Sequence, residues 1–153
     1  MNFFDLIRTG DLSGLQQALA DNPSLAVTPD ARGFTPLVMA TYSDQLAVAE
    51  HLIEAGADIN GQDASGNTAL MGVCFKGNEE MVDMLIKRGA DLDIRNTQGS
   101  TALIFAATFG QNGIARLLLA AGADASIKDG QGHQAVYFAR SKNNADLVAL
   151  LEA

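Results

Sequence analysis

A period of 33 residues constrains this chain more than any other feature. Gly33 returns as Gly66, Gly99 and Gly132, and Gly56 as Gly89 and Gly122. Leu52 returns as Leu85, Leu118 and Leu151, and Ala57-Asp58 as Ala90-Asp91 and Ala123-Asp124. Thr35 returns as Thr68 and Thr101, while Gln134 breaks that column. A fixed period of this size marks a repeat architecture, in which each unit buries its apolar face against its neighbours. The expected core is a continuous stripe shared between stacked units, and the 48% hydrophobic content is ample for it.

Within residues 30–62 each repeated position has a physical role. Thr35 is placed to cap a helix with its hydroxyl, and Pro36 suits the first helical turn, where no N–H is missed. Leu37 and Ala40 give a short helix its inward face. Ser43-Asp44 turns the chain into a second helix, whose Leu46, Ala49, Leu52 and Ile53 recur at i, i+3, i+4 spacing. Gly56 stands where a left-handed residue ends that helix. Ala57-Asp58-Ile59-Asn60 then runs out into a turn, and Asp63-Ala64-Ser65-Gly66 brings the chain back, with Gly66 supplying positive φ at the tip. The fold class expected is an all-α solenoid of helix-turn-helix units joined by β-hairpin-like loops.

On this period residues 1–153 form one repeat domain: an N-terminal capping unit at 1–29, full repeats at 30–62, 63–95 and 96–128, and a truncated capping repeat at 129–153. In the first unit Phe3, Phe4, Leu6 and Ile7 make one apolar face, Gly10-Asp11 a turn, and Leu12, Leu15 and Leu19 a second face. Asp11, Leu15 and Leu19 fall in register with Asp44, Val48 and Leu52, and Pro23 stops the helix.

Three motifs, Gly33-Phe34-Thr35-Pro36-Leu37, Gly66-Asn67-Thr68-Ala69-Leu70 and Gly99-Ser100-Thr101-Ala102-Leu103, each lead to a Gly-Ala-Asp exit. These motifs resemble the ankyrin repeat family, in register over residues 30–153 and loosely over 1–29. The resemblance implies an L-shaped stack, with paired helices as one arm and turn fingers as the other, that binds proteins through finger tips and inner helix surface. It departs in one column. Where the family places a histidine that braces the hairpin, this chain holds Val38, Met71, Ile104 and Tyr137.

Carried onto this sequence, the family's recognition positions at the tips are Arg32, Phe34, Ser65, Asn67, Gln98, Ser100, Gln131 and His133. At the ends of the first helices they are Tyr42, Ser43, Phe75, Lys76, Thr108 and Phe109. Tyr42 and Phe75 share a column and Phe109 lies one step over, so with Phe34 they are expected to form an aromatic strip on the concave face. Exposed aromatics are enriched among binding hot spots. Packing of each ring on its own repeat is the plain alternative.

Composition narrows the partner. The net charge of −8 speaks against nucleic acid, which needs clustered Lys and Arg. Residues 30–62 carry Asp30, Asp44, Glu50, Glu54 and Asp58 against Arg32 alone. That acidic half suggests steering of a partner with a basic patch, as an inhibitor or immunity-type protein would use, or solubility alone. Cys74 is the only cysteine, which excludes an intramolecular disulfide, and its column partner Ala107 fits a buried inert thiol. The opening MNFFDLIRTGDL lacks signal-peptide character, and no apolar run approaches the ~18 residues of a membrane span. A monomeric cytoplasmic protein is expected.

Catalysis finds little support. His51 is expected outward among Glu50 and Glu54, and His133 at a finger tip, neither with a nucleophile at local spacing. Asp91 and Asp93 flank a turn, but no calcium-loop glutamate follows. No cofactor or metal is expected. A small-molecule-binding protein or enzyme using a groove near His133, or a self-associating scaffold, stands as the alternative to a protein-binding module.

Overall fold

The computed structural model describes residues 2–153. Ten α-helices follow one another as α1 (Phe3–Thr9), α2 (Leu12–Asp21), α3 (Pro36–Tyr42), α4 (Leu46–Glu54) and α5 (Ala69–Lys76), then α6 (Glu79–Lys87), α7 (Ala102–Thr108), α8 (Asn112–Ala120), α9 (Ala135–Ser141) and α10 (Ala145–Glu152). Among the described residues there is no β-strand, and the fold is an all-α stack. The odd-numbered helices pack side by side from α1 to α9 as one layer, and each is backed by the even-numbered helix that follows it. The loops that precede α3, α5, α7 and α9 form the fingers, the first of them at residues 28–35.

The core follows the period. Leu15, Val48, Met81, Ile114 and Leu147 are all essentially inaccessible, as are Leu52, Leu85 and Leu118. Burying each such side chain contributes about 1.5–3 kcal/mol. Ala40, Val73, Ala106 and Ala139 are equally buried in the first-helix layer, where small side chains let neighbouring backbones approach. Thr35, Thr68 and Thr101 cap α3, α5 and α7 by accepting the N–H three residues on, at 3.1, 3.4 and 3.2 Å. Gln134 supplies no such cap, and its amide donates instead to the Ser126 carbonyl at 3.1 Å.

The first unit departs from the expected register at its turn. Leu15 and Leu19 are buried as the period requires, yet the left-handed residue is Gly10 (φ 74°) here and Asp44 (φ 62°) in the next unit. Asp11 is therefore the N-cap of α2, its carboxylate accepting from the Gly14 N–H, and is not the counterpart of Asp44. Pro23 does end α2, and it also opens a 3-10 turn (Pro23–Val27) that tucks Ala26 into the core. That turn had no sequence expectation.

The missing hairpin histidine is replaced in two ways. Val38, Met71 and Ile104 are buried and serve as core, while Tyr137 at the end of the stack is 46% exposed. The bracing comes from other side chains. Asp30, Asp63, Asn96 and Asp129 each accept the backbone N–H groups two and four residues on, at 2.9–3.0 Å. Gln62 donates to the carbonyls of Gly66 and of Arg95 in the next finger, and Arg95 in turn to those of Gly99 and Lys128. Main-chain bonds from Ala64 to Gly33, Thr97 to Ser65 and Gly130 to Gln98 complete the ladder.

Candidate functional site

Two grooves open between the fingers and the inner helix layer. The first has a volume of about 640 Å³. Eight of the residues singled out from sequence line it, namely Arg32, Phe34, Tyr42, Ser43, Ser65, Asn67, Phe75 and Lys76. The second, about 480 Å³, takes Gln98, Ser100, Thr108, Phe109 and Gln131. His133 lines neither.

An aromatic row joins the grooves. Tyr42 meets Phe75 edge-on with ring centroids 5.0 Å apart, and Phe75 meets Phe109 at 4.6 Å. Phe105, which the sequence did not single out, stands 6.3 Å from Phe75 and 6.1 Å from Phe109. Tyr42, Phe75 and Phe109 remain 45%, 45% and 42% exposed despite these contacts. Phe34 does not join the row. It is half-buried on the finger wall, with the Arg32 guanidinium 5.2 Å above its ring.

The floor of the first groove is Val38, Met39, Met71 and Gly72. Gly72 falls in a column otherwise filled by Met39, Phe105 and Phe138. A Cβ there would stand 2.6 Å from Thr41 Oγ1, so α3 and α5 approach closely at this point. The sequence carried this signal as one small residue in a bulky column.

Three bases line the same groove. Arg8 is held by Asp5, whose carboxyl it keeps below the usual range through their hydrogen bond. Arg32 and Lys76 form no ion pair among the described residues. Asp63 is the one lining acid, buried and accepting from the N–H groups of Ser65 and Asn67 at 2.9 Å.

Ser100 and His133 sit differently from expectation, while Cys74 is buried as expected. Ser100 is buried, its N–H given to Asn96, so it shapes its finger more than it faces a partner. His133 is folded back, stacked on Tyr137 at 3.7 Å with an interplanar angle of 5° and edge-on to Phe138. Its Nδ1 is buried without a hydrogen-bond partner. His51 lies half-exposed on α4, and the neighbouring Glu50 and Glu54 reach Arg88 of the next unit at 3.7 and 3.3 Å. Cys74 is fully buried, with Sγ 3.5 Å from the Ala102 carbonyl across the unit boundary, and burial pushes its thiol pKa up to about 12. Such a thiol is a packing group and not a nucleophile at neutral pH. Among the described residues no three His, Cys, Asp or Glu side chains group to hold a metal ion, and no helix is long and apolar enough to cross a membrane.

A family model described as ankyrin repeats in three copies matches residues 60–129, and a single ankyrin repeat model matches residues 32–64. Together they span nearly two thirds of the chain. No curated protein matches it.

Proposed function

Because this chain belongs to the ankyrin repeat family, we propose that it is a binding module whose protein partner docks on the inner surface between fingers and first helices. Ankyrin repeats are in general protein–protein interaction modules and typically non-enzymatic. The observation that carries the proposal is the row of Tyr42, Phe75 and Phe109, three large rings left more than two-fifths exposed in one place. Aromatic rings in a partly apolar groove are the residues on which binding energy concentrates. The braced fingers add to this, since a surface already ordered loses little conformational entropy on binding. Docking there would regulate the partner by covering the segment it presents.

The test is affinity capture with the tagged protein and with a Tyr42→Asp/Phe75→Asp variant, read by mass spectrometry. Both rings are at the surface, so the variant is expected to keep the helical circular dichroism of the parent. A partner recovered by the parent and lost with the variant supports the proposal. A partner recovered equally by both places binding elsewhere and refutes it.

A second reading, inhibition of a basic partner, has its own observation. Glu79 and Glu80 on the first turn of α6 are exposed and make no ion pair among the described residues. A partner steered to that outer face would bind with strong salt sensitivity and would be lost with Glu79→Lys/Glu80→Lys, not with the ring variant.

A further inference from the structure

The first groove is basic in a strongly acidic protein. The chain has 18 acids and 10 bases, yet the groove is lined by Arg8, Arg32 and Lys76 against Asp63 alone. Asp63 is already committed to its own finger, and Arg8 to Asp5. The two bases without a counter-ion among the described residues stand on the two walls, Arg32 on the first finger and Lys76 at the end of α5. Each is exposed, and the Arg32 guanidinium stands over the Phe34 ring. Between them lies an apolar slot floored by Val38, Met39, Met71 and Gly72.

We propose that this groove takes an extended segment of a protein partner in which an aromatic side chain is flanked by carboxylates. This rests on the inner surface being the partner site, and adds the chemistry of what enters it. The ring fills the slot against the exposed edges of Tyr42 and Phe75. The flanking Asp or Glu side chains pair with Arg32 and Lys76, which have no ion pair among the described residues to give up. A segment carrying Lys or Arg in their place meets like charge on both walls. The net charge of the whole molecule favours basic partners at long range, so the groove selects locally against the choice that the overall charge makes.

Panning a displayed random-peptide library on the full chain tests this, with Arg32→Glu/Lys76→Glu and Tyr42→Asp/Phe75→Asp variants as comparisons. The chain contains no tryptophan, so an enriched peptide bearing that residue reports its own binding by fluorescence. The expected result is enrichment of peptides with an aromatic residue beside Asp or Glu, bound roughly tenfold or more weakly by the charge-reversed variant. If the enriched peptides are basic or uncharged but are lost with the ring variant, the groove stands as a binding site and the acidic class is overturned. If acidic aromatic peptides bind all three proteins alike, both the class and the site are overturned. A library that enriches nothing overturns the extended-segment claim and leaves the docking of a folded partner to the capture experiment.

Discussion

Replacing Gly99 by alanine measures how closely the fingers pack. Gly99 has φ 80°, and a Cβ added there would stand 2.6 Å from the Gly130 nitrogen and 3.1 Å from the Asp129 carbonyl carbon. Both atoms are backbone of the next finger, and that nitrogen donates to the Gln98 carbonyl at 2.9 Å. Two costs follow. The left-handed conformation costs alanine about 1–2 kcal/mol, offset by about 0.4–1 kcal/mol because alanine narrows the unfolded ensemble. Displacing the neighbouring finger adds an overpacking cost of about 1–3 kcal/mol. Gly89 is the control, since its φ is 88° but nothing lies within 4 Å of the added Cβ. Gly89→Ala carries the first cost alone, about 0–1.6 kcal/mol after the offset. Gly132→Ala, with φ 85° and open space at the last finger, should behave like Gly89→Ala. Urea denaturation followed by far-ultraviolet circular dichroism gives each difference from the shift in midpoint at unchanged slope. The expected gap between Gly99→Ala and Gly89→Ala is about 1–3 kcal/mol. A gap under about 0.5 kcal/mol, the limit for unrelated surface changes, would refute stacked fingers.

Three further outcomes are expected. Leu85→Ala and Leu118→Ala, each emptying an inaccessible site, should cost about 2–5 kcal/mol in the same denaturation assay. Arg95→Ala removes bonds to the Gly99 and Lys128 carbonyls, and should cost about 1–2 kcal/mol and speed hydrogen exchange at the finger amides of Thr97 and Gly130. Cys74 titrates at about 12 when folded against an ordinary 9.0, so below about pH 9 its thiol leaves stability untouched. Above that the unfolded chain ionises while the buried thiol does not, and stability falls by roughly 1.4 kcal/mol per pH unit up to the folded value. Subtracting the stability–pH curve of Cys74→Ala isolates this slope, and parallel curves would contradict the burial.

The period made the helical stack legible because one column of buried Leu, Val, Met and Ile repeats at every unit, and a repeat reports itself without any knowledge of contacts. Thr35, Thr68 and Thr101 were legible as caps because capping is a local act, settled within three residues. The finger braces were not legible. Gln62 and Arg95 act on carbonyls in their own finger and the next, and the column that holds them continues as Lys128, so neither residue type nor spacing announces the role. In the site, the row of Tyr42, Phe75 and Phe109 could be read from columns, whereas Phe105 could not, because its column holds Met39, Gly72 and Phe138 and no ring in the neighbouring unit announces the contact with Phe75. The stacking of His133 on Tyr137 was not legible because its tip position says nothing of that partner, which becomes available only where no further helix covers α9. The basic groove escaped notice because the charge count of residues 30–62 averages over two faces. Arg32 comes from a finger of one unit and Lys76 from a helix of the next, and only folding sets them around one slot.

The inner surface as the docking face is tested most directly by photo-crosslinking. A benzophenone side chain placed at Tyr42, on the aromatic row, and separately at Arg116, exposed on the outer helix α8, reports contact without removing the groove. Irradiation of the protein with its captured partner is expected to give a covalent adduct from position 42 and none from position 116. An adduct from position 116 alone would place the partner on the outer helices and contradict docking in the groove.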